Sequence, residues 1–380
     1  MLDSVRKPVA AVCASLVAGL AVAATVLPSI AAADAQEPCQ QAKDIIANFR
    51  KIVTPNGVEE QLEIPVGGTK QWITVRGRNR ANPILLLIHG GPASPEMPIS
   101  WAFQSGWEDY FTVVQWDQRG SGKSYNSNDP QKIRPTLSLE RIVADAAEVI
   151  EFLRQRYGKE RVFVLGHSWG SLVGLMLAYQ HPELLHAYVG MGQVIDGAEA
   201  ERVGYEWVLR QAEKDGNAEA LEELRAIAPY PEKDGSVPLE KIDVQRKWSV
   251  YYGGLTVGRK DLDFYYDVGQ LSPDYTRADL EAIDKGSRLS LGPLLPNLWR
   301  DYTHMKRFRT PIVMFEGRHD YTTPSDVVAD WFAEVEAPVK KFVWFEQSAH
   351  MMPVEEPGRL LVHLVQDVLP LAGIERGSSR

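Results

Sequence analysis

Short apolar runs bounded by turn residues alternate with longer stretches of helical periodicity along most of this chain. Gln61–Pro65 and Gln71–Val75 alternate in polarity and flank Gly67-Gly68, which predicts two strands joined by a tight turn. Ile84–Ile88, Phe111–Trp116, Arg161–Leu165 and His186–Met191 are nearly continuous apolar runs. Such runs suit strands covered on both faces, as in a mostly parallel sheet. Between them, Leu139, Ile142, Val143, Ala146, Ile150 and Leu153 recur at helical spacing after Ser138, and Gly158 closes that helix. Leu172–Tyr179 reads as a second helix. The rhythm stops near Val194. From there to Lys306 the pattern is helical, polar and aromatic, with no buried strand run. It resumes with a strand at Pro311–Phe315, Thr323-Pro324 as N-cap and first residue of a helix, a strand at Lys341–Phe345 and a helix over Glu355–Val368. The pattern predicts an α/β core in two parts, 36–193 and 307–380, interrupted by a helical cap over 194–306.

The first 35 residues read as a targeting segment. Arg6 and Lys7 precede an apolar stretch from Val9 to Ile30, and Ala33-Asp34-Ala35 offers an A-x-A cleavage site. The expectation is a signal peptide and a secreted or periplasmic protein; a retained anchor is the alternative, because the stretch approaches the length of a membrane span. After cleavage no stable membrane association is expected. The net charge of −9 over 380 residues argues against nucleic acid, which demands a basic face. Of two cysteines, Cys13 leaves with the signal and Cys39 stays in an expected flexible stretch, so a disulfide framework is excluded.

Gly166-His167-Ser168-Trp169-Gly170 fits G-x-S-x-G and sits between a buried strand and a helix. A sharp strand-to-helix turn there pushes a serine hydroxyl out at the top of the sheet, and the turn is so tight that glycine is required on either side. A serine needs a base. His350, on a loop after the last strand, is placed to serve; His181, His186, His304 and His319 are not. Asp320, in the loop after the strand ending at Phe315, is the expected partner of His350. Oxyanion donors are expected from the backbone N–H of Trp169 and from Gly91 in His89-Gly90-Gly91-Pro92, with His89 holding that loop. Trp116–Gly122 reads as a supporting turn held by an Asp117–Arg119 interaction. No phosphate loop and no ligand-spaced cluster of His, Cys and Asp appears, so neither cofactor nor metal is expected.

Together, His89–Pro92, Trp116–Gly122, Gly166–Ser171, Gly317–Asp320 and Ala349-His350 resemble the prolyl aminopeptidase (proline iminopeptidase) family of α/β-hydrolases. The resemblance implies an α/β-hydrolase fold, a Ser168, Asp320 and His350 triad and a helical cap. It also implies acidic groups that bind the free amine of an N-terminal proline. The chain departs from that pattern. Trp248-Ser249-Val250-Tyr251-Tyr252 carries Tyr252 where the family has Glu, Tyr321 follows Asp320 where some members have Glu, and Ala93 replaces a Gly. Glu199, Glu201 and Glu206 are the cap acids left to take that role.

A buried ammonium without a carboxylate is costly. The first expectation is therefore a serine hydrolase that cleaves an ester or amide through an acyl-enzyme, with Trp248, Tyr251, Tyr252 and Tyr321 as candidate substrate contacts. The alternative is an aminopeptidase that releases N-terminal proline or a small residue from short peptides. Epoxide hydrolases and dehalogenases of this fold place Asp where Ser168 stands. A non-catalytic module on a hydrolase scaffold conflicts with an intact Ser, Asp and His set.

Overall fold

The computed structural model describes residues 39–373, so the predicted targeting segment and the C-terminal tail lie outside the described residues. Eight strands form one sheet in the order β1-β2-β4-β3-β5-β6-β7-β8. They are β1 (Val58–Val66), β2 (Thr69–Gly77), β3 (Ile84–Ile88), β4 (Thr112–Asp117), β5 (Val162–His167), β6 (Leu185–Met191), β7 (Ile312–Gly317) and β8 (Lys340–Phe345). β1 pairs antiparallel with β2 through the two-glycine turn, Val66 opposite Thr69, and β2 pairs antiparallel with β4. The other pairs are parallel.

The continuous apolar runs have the meaning their pattern predicts. Along β3, Ile84, Leu86 and Ile88 enter one core, while Leu85 and Leu87 enter the core on the opposite face. β5 and β7 alternate in the same way. Helix α1 (Gln40–Phe49) precedes the sheet, and Cys39 opens it: the Cys39 carbonyl accepts Lys43 N–H at 3.0 Å. Helices α2 (Leu139–Tyr157) and α3 (Trp169–Gln180) cover one face of the sheet. The other face is covered by 3-10 turns over 97–109 and by the C-terminal helices. Ser138 caps α2 by accepting Arg141 N–H, and Gly158 ends it in the left-handed region at φ 63°.

No strand intervenes between Met191 and Ile312 among the described residues. That stretch holds α4 (Gly197–Asp215), α5 (Ala218–Ala226), α6 (Leu239–Tyr251), α7 (Asp263–Gln270) and α8 (Arg277–Leu294). Tyr205, Val208, Ala212, Leu224, Tyr230 and Trp248 form a third core within it, separate from the two that flank the sheet. The chain then returns through β7, α9 (Ser325–Ala333) and β8.

Three local readings differ from the structure. Arg119 does not pair with Asp117. It forks onto Asp145 of α2, with Nε at 2.7 Å and Nη2 at 2.8 Å from the two carboxylate oxygens, while Asp117 accepts Tyr275 Oη and the Lys123 amide. Asp145 presents both carboxylate oxygens to a bidentate fork, and it also takes Gln71 Nε2 at 2.9 Å. Thr323 does not cap α9. The N-cap is Pro324, which has no side chain to donate or accept, and Thr323 turns toward Asp320. The single helix expected over Glu355–Val368 is broken at Glu356 (φ −129°, ψ 54°), because Pro357 bars its predecessor from the helical region. Helix α10 (Pro357–His363) starts there and runs into a wider turn over Leu364–Val368.

Asp145 thus joins β2, the β1–β2 turn, the β4 turn and α2, since Arg119 Nη2 also donates to Gly67 O at 2.9 Å. Its replacement leaves a buried guanidinium without a counter-charge. Asp145→Ala is expected to lower stability by about 3–5 kcal/mol, read from urea-denaturation midpoints. A loss below about 1 kcal/mol would show that the fork contributes little.

Candidate active site

Sheet order reverses between β3 and β5, since the chain runs from β3 outward to β4 and then returns to the other side of β3. Loops leaving the carboxyl ends of β3 and β5 therefore part there and leave a crevice. The first of these loops holds His89–Pro92 and the second holds Ser168.

Ser168 has φ 55° and ψ −123°, a backbone state that L-residues avoid. Its amide donates to Met191 O at 3.0 Å, and its carbonyl accepts Ser171 N–H at 2.8 Å, so both flanks hold the strain. A Cβ on Gly170 would run into the carbonyl oxygen of Ile88, and one on Gly166 into that of Gly170. Hydrogen alone fits at both places. The first turn of α3 starts at Trp169, whose indole Nε1 donates to Gln118 Oε1 at 3.1 Å.

His89 holds the facing loop as expected. Its Nε2 lies 3.2 Å from Ser121 Oγ and accepts the Gln118 amide at 3.3 Å, while Gln118 Nε2 donates to His89 O at 2.8 Å. Burial pushes this imidazole down to about 4, so it is neutral at physiological pH. Gly91 and Ser168 both line one cavity of about 250 Å³.

His350 and Asp320 meet from separate loops. Asp320 Oδ2 is 2.6 Å from His350 Nδ1. The same carboxylate accepts Thr323 Oγ1 at 3.0 Å and the amides of Thr322 and Thr323 at 2.8 and 2.9 Å. With Nδ1–H directed at a carboxylate, a neutral imidazole carries its lone pair on Nε2. Gly192 leaves room for this ring: a Cβ there would sit 2.7 Å from His350 Cε1. His319 is exposed, and its amide donates to Ser348 O.

The cap reaches into the same region. Gly254 O accepts Tyr321 N–H and Leu255 O accepts His350 N–H, each at 3.0 Å. Glu355 joins the two sides, taking Val257 N–H at 2.7 Å and Ala349 N–H at 3.1 Å. Apolar walls of the Ser168 cavity come from Val194, Ile195, Leu239, Ile242, Leu295 and Trp299. Four charged residues also line it: Asp196, Glu201, Asp243 and Arg246. Glu201 is buried, and Arg246 pairs with both of its oxygens. Tyr230 Oη donates to the same carboxylate at 2.5 Å. Glu199 and Glu206 instead pair with Arg202 at the surface.

None of the four aromatic candidates is among the residues that line this cavity. Trp248 is buried in the cap core, and its Nε1 donates to Glu223. Tyr251 and Tyr252 line a separate open groove of about 430 Å³ with Lys214, Arg259 and Lys260. Tyr321 stacks on Trp207 at 4.1 Å. Sequence reasoning missed Thr323, Gln118, Glu355 and Arg246 as parts of the site. Gln118 lies in the Trp116–Gly122 turn and Thr323 three residues after Asp320, but their roles depend on contacts to other loops; Glu355 and Arg246 come from helices that no local motif marks. Among the described residues, no group of three His, Cys, Asp or Glu side chains is arranged to hold a metal ion.

The family described as the alpha/beta hydrolase fold matches residues 83–357. A probable aminopeptidase of Bacillus subtilis, YbaC, is 30% identical over 303 residues, which cover 78% of this chain and 92% of that protein. The proline iminopeptidase of Heyndrickxia coagulans is 24% identical over 289 residues, 73% of this chain and 87% of its own. Among solved structures, the proline iminopeptidase of Mycobacterium smegmatis superposes with a TM-score of 0.57 at 18% identity, covering 82% of this chain and 98% of that one.

Burial raises the Glu355 carboxyl to about 7 from its ordinary 4.5, against the pull of the Val257 and Ala349 amides. Between those values the folded chain keeps a proton that the unfolded chain has lost. Stability from this group therefore falls as pH rises through that window and is level above it. Glu355→Gln removes the titration. Its melting temperature, measured relative to wild type, is expected to rise from about pH 5 to about pH 7.5. A constant or falling difference would contradict the assignment.

Proposed function

The chain belongs to the α/β-hydrolase fold family, and we propose that it is a serine hydrolase that cleaves an ester or amide bond through an acyl-enzyme. The observation that carries this reading is the Asp320–His350 contact beside the cavity that Ser168 lines. In the proposed cycle Ser168 Oγ attacks the substrate carbonyl and His350 Nε2 takes its proton. His350 returns that proton to the leaving group. Water then attacks the acyl-enzyme by the same route in reverse. Asp320 fixes the tautomer and balances the imidazolium that forms. The Gly91 and Trp169 amides are the proposed donors to the oxyanion, with the first turn of α3 adding its positive end.

The apolar walls of the cavity support a small apolar acyl group. A second reading, an aminopeptidase, is supported by three carboxylates against one guanidinium in that lining, and by relatives named aminopeptidase and proline iminopeptidase. Export belongs to the same proposal, supported by Arg6, Lys7, the apolar run Val9–Ile30 and Ala33-Asp34-Ala35.

A paired rate assay tests it, with proline β-naphthylamide against short-chain p-nitrophenyl esters. Turnover of at least one substrate is expected, lost in Ser168→Ala and lowered about 10⁴-fold in kcat by Asp320→Asn. Turnover of the amide selects the aminopeptidase reading, and turnover of esters alone selects the esterase. Activity retained in Ser168→Ala would overturn the acyl-enzyme.

A further inference from the structure

One buried ion pair next to the triad has no part in that cycle. Glu96 follows the β3 loop and ends at the 3-10 turn Met97–Ala102; His167 is the last residue of β5, directly before Ser168. They are 4% and 3% exposed, so neither has access to water for its charge. His167 Nδ1 lies 2.5 Å from Glu96 Oε1. On the other side of the ring, His167 Nε2 lies 3.0 Å from the backbone carbonyl of His350. The His167 and His350 rings are 4.8 Å apart, tilted by 35°.

Hydrogen-bond chemistry restricts what this arrangement can be. A carbonyl oxygen only accepts, so His167 Nε2 must carry hydrogen. Nδ1 faces a carboxylate, and an ionised carboxylate also only accepts. Both ring nitrogens are then donors, and His167 is an imidazolium. Burial works against charge on each partner, but attraction and the hydrogen bond prevail: the His167 imidazole is raised and the Glu96 carboxyl lowered from their ordinary values.

We infer that Glu96 and His167 form a second carboxylate–imidazole pair whose work is to position His350. The inference rests on His350 being the base. The His350 peptide is then held from two directions. His167 takes its carbonyl from the core, and Leu255 O takes its N–H from the cap. The other titratable groups near the pair are His89, neutral because of burial, Asp320, and Tyr265, whose hydroxyl donates to Pro95 O at 3.4 Å and whose burial keeps it protonated.

Glu96→Gln is the direct test, with Glu96→Asp as the variant that keeps the charge. In Glu96→Gln the buried His167 loses its counter-ion and with it the extra proton. Imidazole ¹⁵N NMR on the full chain follows the His350 ring, assigned by its absence in His350→Asn. The His350 ring signals are expected to move in Glu96→Gln and to return in Glu96→Asp. In Glu96→Gln kcat should fall about 10- to 100-fold with little change in KM, and Glu96→Asp should restore most of it. Unchanged His350 signals, with only a lower melting temperature, would reduce the pair to packing and overturn the inference. If the signals move but wild-type chain turns over no substrate, the pair stands and the proposed hydrolase cycle fails.

Discussion

The backbone of Ser168, at φ 55° and ψ −123°, is the constraint on which the site depends. A residue in that state stores strain and persists only where its surroundings over-determine it. Here the surroundings do so through close backbone approach. Gly170 lets α3 rest directly on the end of β3, and Gly166 lets the turn close on itself. Met191 O and Ser171 N–H hold the Ser168 peptide from both sides. With the turn fixed, the loop after β3 has a defined neighbour, and His89 and Gln118 fasten it to the β4 turn.

The other half of the site is held partly by the cap. The segment Gly254–Val257 follows α6 and gives its carbonyls to Tyr321 and His350, and Glu355 closes the circuit through Val257 and Ala349. Cap and core are joined again where Tyr275 Oη donates to Asp117. The cap therefore does more than roof a cavity. Its hydrogen bonds set where the imidazole stands, so substitutions in 254–257 are coupled to the geometry of His350.

Much of the core was legible because its signals are local. A strand buried on both faces is a continuous apolar run, and the Ile84–Ile88 run and the strand it forms coincide. Ser138 and Gly158 bound α2 by capping chemistry that needs no tertiary knowledge. G-x-S-x-G could be read for the same reason: strain, glycines and helix all lie within a few residues. Choices made by tertiary distance were not legible. Asp117, two residues away, is the partner for Arg119 that the sequence suggests, and only the packing of α2 against the β4 turn selects Asp145. Thr323 carries the signature of an N-cap, but a buried carboxylate three residues earlier is the stronger acceptor for its hydroxyl. The cap resisted most. Its aromatics read equally well as lining or as core, and the folded chain puts Trp248 in the core and Tyr251 and Tyr252 at another groove. The Ser168 cavity is lined instead by aliphatic residues and the Glu201–Arg246 pair, contributed by helices that no motif links.

The central claim is that Ser168 is the activated nucleophile. A fluorophosphonate reagent reacts with such a serine and spares ordinary hydroxyls, because attack on phosphorus needs the base and the oxyanion donors in place. The measurement is peptide mass spectrometry after treatment of the folded chain, with heat-denatured chain as control. The account predicts one adduct, on Ser168, absent after denaturation. An adduct on Ser171 or another hydroxyl, or none on a chain shown to be folded, would contradict it.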